Sequence, residues 1–293
     1  MKLATDWLLP PKIKVLVRVL LSRFIGFTKV ESWESAVRKS SGYESANVVE
    51  PVVTAARRAQ NDSESSNFSN SRYQQIAAGM LYCISQGRFN TGEPIRVLDV
   101  GGGGADYFHH FQTFAPRINF DWTVLETPAM AEAMSNEFGQ NLANLRWVNS
   151  IENTNEIYDV VLCSSVLQYV KNPVELLATL VAKSEFLIVN RIPLVDSSEH
   201  FVAVQRIISN GKRASYPIHF FAEKKFLTEV SQYGDVEMRW LVTEDQPVIN
   251  RKAQSNHGLV LRVSSRISAL VSSLLLFLDV KNADAFLMAP LVL

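Results

Sequence analysis

The chain has 293 residues, 47% hydrophobic and 20% charged, enough for a globular protein with a sizeable core. Its formal net charge is zero, which argues against nucleic acid as a partner, because phosphate binding needs a basic footprint. Two cysteines, Cys83 and Cys163, are too few for a disulfide framework, and no Cys/His spacing suits a metal, so none is expected.

Residues 1–40 hold eight basic and three acidic side chains. Asp6 and Pro10-Pro11 interrupt the start, and no small-residue cleavage site follows, so a signal peptide is not expected. The run KIKVLVRVLLSRFIGF predicts a helix over 12–27, with Lys14, Arg18 and Ser22 as a narrow polar stripe on an apolar surface. Two readings of it stay open. It packs on the domain or on a second copy in a homodimer, or it lies on the inner face of a membrane as a surface contact. A helical run follows the Gly42-Tyr43 turn and ends near Arg57-Arg58. A serine-rich loop (61–71) and a helix over 72–86 complete an N-terminal helical extension, residues 1–90.

Residues 91–264 read as one α/β unit. Strands are predicted at Ile95–Val100, Phe120–Leu125, Leu145–Val148, Ile157–Cys163 and Phe186–Val189. Helices are predicted through Phe114, from Pro128 to Phe138 and from Pro173 to Lys183. The alternation implies a mostly parallel sheet with helices on both faces. A long connection over 191–221 is assigned a helix at His200–Ser209, followed by a helix at Ala222–Tyr233. Val236–Val242 and Leu259–Val263 are expected to pair antiparallel. Residues 265–293 form an apolar tail; its longest uncharged stretch, Ile267–Leu278, is too short to span a bilayer.

The segment IRVLDVGGGGADYF (95–108) is a strand, a glycine turn and a helix start, where open α/β sheets bind ligands. Gly101, Gly102 and Gly103 let the backbone turn sharply and approach a ligand closely. A dinucleotide turn wants a third glycine or alanine where Asp106 or Tyr107 stands, and a phosphate loop wants a lysine that is missing. Asp99, just before the glycines, suits a ligand with a cationic amino group. Glu126 ends the second strand, where a carboxylate can accept from both hydroxyls of a ribose. Glu126 also precedes a helix, and a solvated helix-entry acid is the alternative role.

The order VLDVGGGG, VLE and YDVVLCSSVLQY (158–169) resembles the class I S-adenosylmethionine-dependent methyltransferases. More closely, the chain resembles a bacterial methyltransferase family associated with surface-polysaccharide gene clusters. That likeness extends to ESWESAVRKSSGYES (31–45), SSVLQY (164–169), VNRIP (189–193) and YPIHFF (216–221), and covers roughly residues 30–245. It implies a Rossmann-like sheet with an antiparallel last strand, and S-adenosylmethionine as cofactor. It also implies methyl transfer to a small-molecule or glycan-precursor acceptor, at oxygen, in the cytoplasm. Ser164 and Ser165 then line the cofactor and acceptor cleft. Two departures stand out: Ala105 replaces a glycine of the turn, and Asn149-Ser150 replaces an acid near the adenine.

Candidates over the cleft after strand five are Arg191, Asp196, His200, Tyr216 and His219. His219, with an ordinary pKa near ~6.5, is the first choice for a base, and a structural histidine is its alternative role. Arg191 suits an anionic acceptor. His109 and His110 are read as surface residues. An NAD- or nucleotide-sugar-dependent Rossmann enzyme, and a non-catalytic membrane-surface scaffold that binds the cofactor, are the competing functions.

Overall fold

The computed structural model describes residues 26–41, 46–61, 71–87, 92–139, 143–153, 157–209, 212–242, 247–249 and 252–264. The order begins with β1 (Gly26–Val30), α1 (Trp33–Arg38), α2 (Ala46–Asn61) and α3 (Ser71–Gln86). The α/β unit follows with β2 (Ile95–Val100), α4 (Asp106–Phe114), β3 (Phe120–Leu125), α5 (Pro128–Phe138), β4 (Leu145–Val148) and β5 (Tyr158–Ser164). Then come α6 (Pro173–Ala182), β6 (Ser184–Val195), β7 (Phe201–Ser209), β8 (Lys212–Ala222), α7 (Glu223–Ser231) and β9 (Gly234–Val242). Two short strands, β10 (Val248–Ile249) and β11 (Lys252–Ala253), precede β12 (Ser255–Val263).

β4, β3, β2, β5 and β6 lie side by side and parallel; β12 pairs antiparallel with β6, and β9 pairs antiparallel with β12. The expected Rossmann-like sheet with an antiparallel last strand is therefore present. Its central strands are apolar on both sides. On β3, Phe120, Trp122 and Val124 face α3, α4 and α5, while Leu125 faces the opposite layer, built on α6 and α7. Both cysteines are buried, one in each layer.

The second half of the chain departs from expectation. Phe201–Ser209 is not a helix. Its β-branched sequence FVAVQRIIS pairs antiparallel with β8 through nine residue pairs, and β1 joins the other edge of β7. Residues 26 and 27, the end of the helix expected at 12–27, belong to β1; the rest of that helix lies outside the described residues. The N-terminal extension is thus partly sheet. β1, β7, β8 and α1 form a cap beside the outer end of β6, where β8 pairs with Leu194 and Val195. Ser41 ties the end of this segment to Ser215 of β8. No helix among the described residues is long and apolar enough to cross a membrane, and the tail at 265–293 lies outside them.

His109 and His110 are not surface residues. α4 packs under α3, so His110 lies between Tyr73 and Phe114, with its ring 4.8 Å from that of Tyr73. The Nε2 of His109 is enclosed as well. Burial lowers the pKa of both.

Candidate active site

Five parallel strands end on one edge, and the exit loops of β2, β3, β4 and β5 carry the predicted cofactor residues. Backbone bonds carry the register past the strand ends. Gly101 N donates to Leu125 O at 2.8 Å, Glu126 N to Val148 O at 2.9 Å, and Ser165 N to Asn190 O at 2.8 Å.

Three positions of the turn need their left-handed backbone: Gly101 (φ 68°), Gly103 (φ 52°) and Ala105 (φ 60°). Ala105 keeps the conformation that a glycine would take, with its side chain buried. Gly102 is required for a different reason. A Cβ there would lie 2.4 Å from Asp99 Oδ2. The Asp99 carboxylate, 1% exposed, sits directly under the turn and accepts from Trp122 Nε1 at 3.3 Å.

Glu126 is neither a solvated acid nor an unengaged one. It is 1% exposed, and its oxygens accept from Gly103 N and from Thr127 N, each at 3.0 Å. Gly103 is held from the other side as well, since Trp147 Nε1 donates to its carbonyl at 2.9 Å. Burial pushes the Glu126 carboxyl up to about 7, and the two backbone donors only partly oppose this.

The extension contributes α2, which lies against the turn. A Cβ on Gly104 would meet Ala56 Cβ at 2.5 Å, and one on Gly103 would touch Val52 at 3.4 Å. Arg57 of α2 ties to Glu137 of α5 by a two-bonded ion pair. At the far side of the edge, Asn149 is exposed, and Ser150 bonds to Glu152 in the short helical turn Ile151–Asn153. Glu152 is thus an acid in the loop where Asn149-Ser150 seemed to leave none.

Around Ser164 and Ser165 lies a buried polar network that sequence reasoning missed. Tyr107 OH and Ser164 Oγ are 3.0 Å apart, and Asn190 Nδ2 donates weakly to Ser164 Oγ at 3.4 Å. Trp240 Nε1 donates to Asn190 Oδ1 at 2.9 Å. Gln168 bridges Ser165 Oγ and the Arg191 carbonyl. The one visible hint was polar residues at strand ends in otherwise apolar runs.

The acceptor-side candidates divide. At Arg191, β6 carries a bulge. Ile192 pairs with His257 and Val189 with Leu259, which leaves Asn190 and Arg191 opposite Gly258. Arg191 takes φ 58° there. Tyr216 and His219 lie an odd number of residues apart on the regular strand β8, so they face opposite sides and cannot meet one acceptor atom together. Tyr216 packs with Tyr169, Ile207 and Ala214. His219 stacks on Trp33, centroids 4.6 Å apart and 9° between planes. Burial pushes the His219 pKa down to about 4, with backbone groups of Lys171 and Val170 partly opposing. A base of that pKa is weak, which removes the reason for preferring it. His200 is structural: its Nδ1 accepts from Ala222 N at 2.9 Å, which directs Nε2 toward Glu229 at 3.1 Å. Asp196 is exposed. NMR titration of the ring protons should find His219 neutral from pH 8 down to about 4; a midpoint near ~6.5 would restore it as a base.

No family model matches this chain, and no curated protein matches it in sequence. Solved structures do resemble it at low identity. The N-terminal domain of EvdMO1 with SAH bound is 12% identical over 66% of this chain and 80% of its own, with a TM-score of 0.45. An S-adenosylmethionine-dependent methyltransferase from Clostridium acetobutylicum is 12% identical over 66% of this chain and 92% of its own, with a TM-score of 0.42. Magnesium protoporphyrin IX methyltransferase from Synechocystis, with SAH bound, is 10% identical over 84% and 99%, with a TM-score of 0.40.

Proposed function

We propose that this chain is an S-adenosylmethionine-dependent methyltransferase acting on a small-molecule or glycan-precursor acceptor at oxygen. The observation that carries the reading is the pair of buried carboxylates, Asp99 and Glu126, against a turn of left-handed glycines. Asp99 under the turn repels a pyrophosphate and attracts a ligand with a cationic amino group, and Glu126 at the end of the second strand suits a ribose. In this reading Asp99 faces the amino group, Glu126 the ribose, and the loops at Asn149-Ser150 and Ser164-Ser165 the adenine and the rest of the cofactor. Gly101, Gly102 and Gly103 let the backbone come close. The cofactor supplies an electrophilic methyl group; the chain binds it, aligns the acceptor and excludes water.

Arg191, re-aimed by the bulge, is the residue proposed for an anionic group on the acceptor. The cap of β1, α1, β7 and β8 is proposed as the acceptor's enclosure. The same reading places the enzyme in the cytoplasm, with the 12–27 segment as the part that would meet a membrane surface or a second copy.

Calorimetry tests the cofactor. SAH is expected to bind and NAD not to bind. Binding of NAD without SAH would instead establish a dinucleotide enzyme.

A further inference from the structure

Among the described residues, Ala105, Ser165 and Arg191 are the non-glycine positions with positive φ. Gln168 holds two of them. Its Nε2 donates to Ser165 Oγ at 3.1 Å and to the Arg191 carbonyl at 3.0 Å. The carbonyl fixes the amide's orientation, since the amide oxygen in that place would face another oxygen. Gln168 is 3% exposed, and its Oε1 has no hydrogen-bond partner among the described residues. Its two donated bonds are therefore the polar contacts that place it. Both bonds end on residues that a Cβ makes reluctant to be left-handed, at the exits of two adjacent strands.

We propose that Gln168 is the positioning residue that keeps Arg191 left-handed, and so sets the wall between β5 and β6 before any ligand arrives. The bulge is coupled to the proposed cofactor loop through Asn190. The Asn190 carbonyl accepts from Ser165 N at 2.8 Å, and its Nδ2 lies 3.4 Å from Ser164 Oγ. If Arg191 relaxes out of the bulge, Asn190 moves and Ser164-Ser165 move with it. The inference rests on the reading that this loop lines the cofactor site.

The test compares Arg191→Ala with Arg191→Gly, each with Gln168 present and with Gln168→Leu. Both substitutions remove the guanidinium and keep the carbonyl that Gln168 binds, so they differ only by a Cβ. With Gln168 present, the left-handed cost falls on folding. Urea unfolding should then show alanine less stable than glycine, while SAH affinities agree within about twofold. With Gln168→Leu the backbone relaxes, so the stability gap should close. The alanine protein must then return to the left-handed conformation to bind, and its SAH affinity should fall about 5- to 30-fold below that of the glycine protein. A stability gap of equal size in both backgrounds would overturn the proposal, since Gln168 would then be a filler. Because that gap needs no ligand, it decides the matter even if the native chain fails to bind SAH, a result that would count against the cofactor alone.

Discussion

Gly101→Ala is expected to be the most damaging alanine substitution of the glycine turn, lowering stability by about 2–5 kcal/mol and removing SAH binding. Two costs add at this position. The backbone is left-handed, with φ 68°, and a new Cβ would lie 2.5 Å from Val166 Cγ2. Val166 is stiff and buried, so it cannot swing away. Gly103→Ala should cost only about 1–2 kcal/mol, because its Cβ would make ordinary contact with Val52 at 3.4 Å and only the φ of 52° resists. Within the protein the severe crowding falls at Gly101, Gly102 and Gly104, not at Gly103. Urea unfolding and SAH calorimetry of the two variants check this order, and equal losses would show that Val166 yields.

Glu126→Ala is expected to weaken SAH binding about 10- to 150-fold with the fold intact, the range for losing charge-assisted hydrogen bonds. The size of the effect on stability should depend on pH. Burial raises the Glu126 carboxyl from 4.5 to about 7. A carboxyl raised in the folded state helps the fold below its ordinary value, and that help is lost as pH rises through about 7. Above pH 7 the buried charge costs roughly 3 kcal/mol, comparable to the roughly 1–3 kcal/mol for each backbone N–H that loses its acceptor. The alanine variant should therefore lose clearly more stability at pH 5 than at pH 8. Ligand binding runs the opposite way. Only the ionised carboxylate can accept at both oxygens, so SAH affinity of the native chain should rise from pH 5.5 to about 7 and then level off. An affinity that is flat across this range in the native chain would remove Glu126 from the site.

The sheet and its glycine turn were legible in the sequence because their causes are local. Ile95–Val100 and Phe120–Leu125 are short apolar runs bounded by turn residues, and four consecutive glycines mark a backbone that must turn sharply. Asp99 and Glu126 could be picked out because each is an acid at the end of such a run, and Ser164 and Ser165 through the family resemblance of the run they follow. The cap was not legible. The segment FVAVQRIIS suits more than one secondary structure, and its pairing with residues 26–30 closes a loop of about 170 residues in sequence, which no local pattern encodes. For the same reason the surroundings of the acceptor-side candidates were not legible. Burial lowers the pKa of His219, whose ring stacks on Trp33 from the other end of the chain, and only the strand alternation of β8 separates it from Tyr216. Sequence by itself determined where the glycine turn stands and what charge flanks it. Tertiary structure alone decided which distant side chains pin that turn and which non-glycine residues beside it take left-handed backbone. Hydrogen bonds such as Gly103–Glu126 and Gln168–Arg191 exist only once the strands lie side by side.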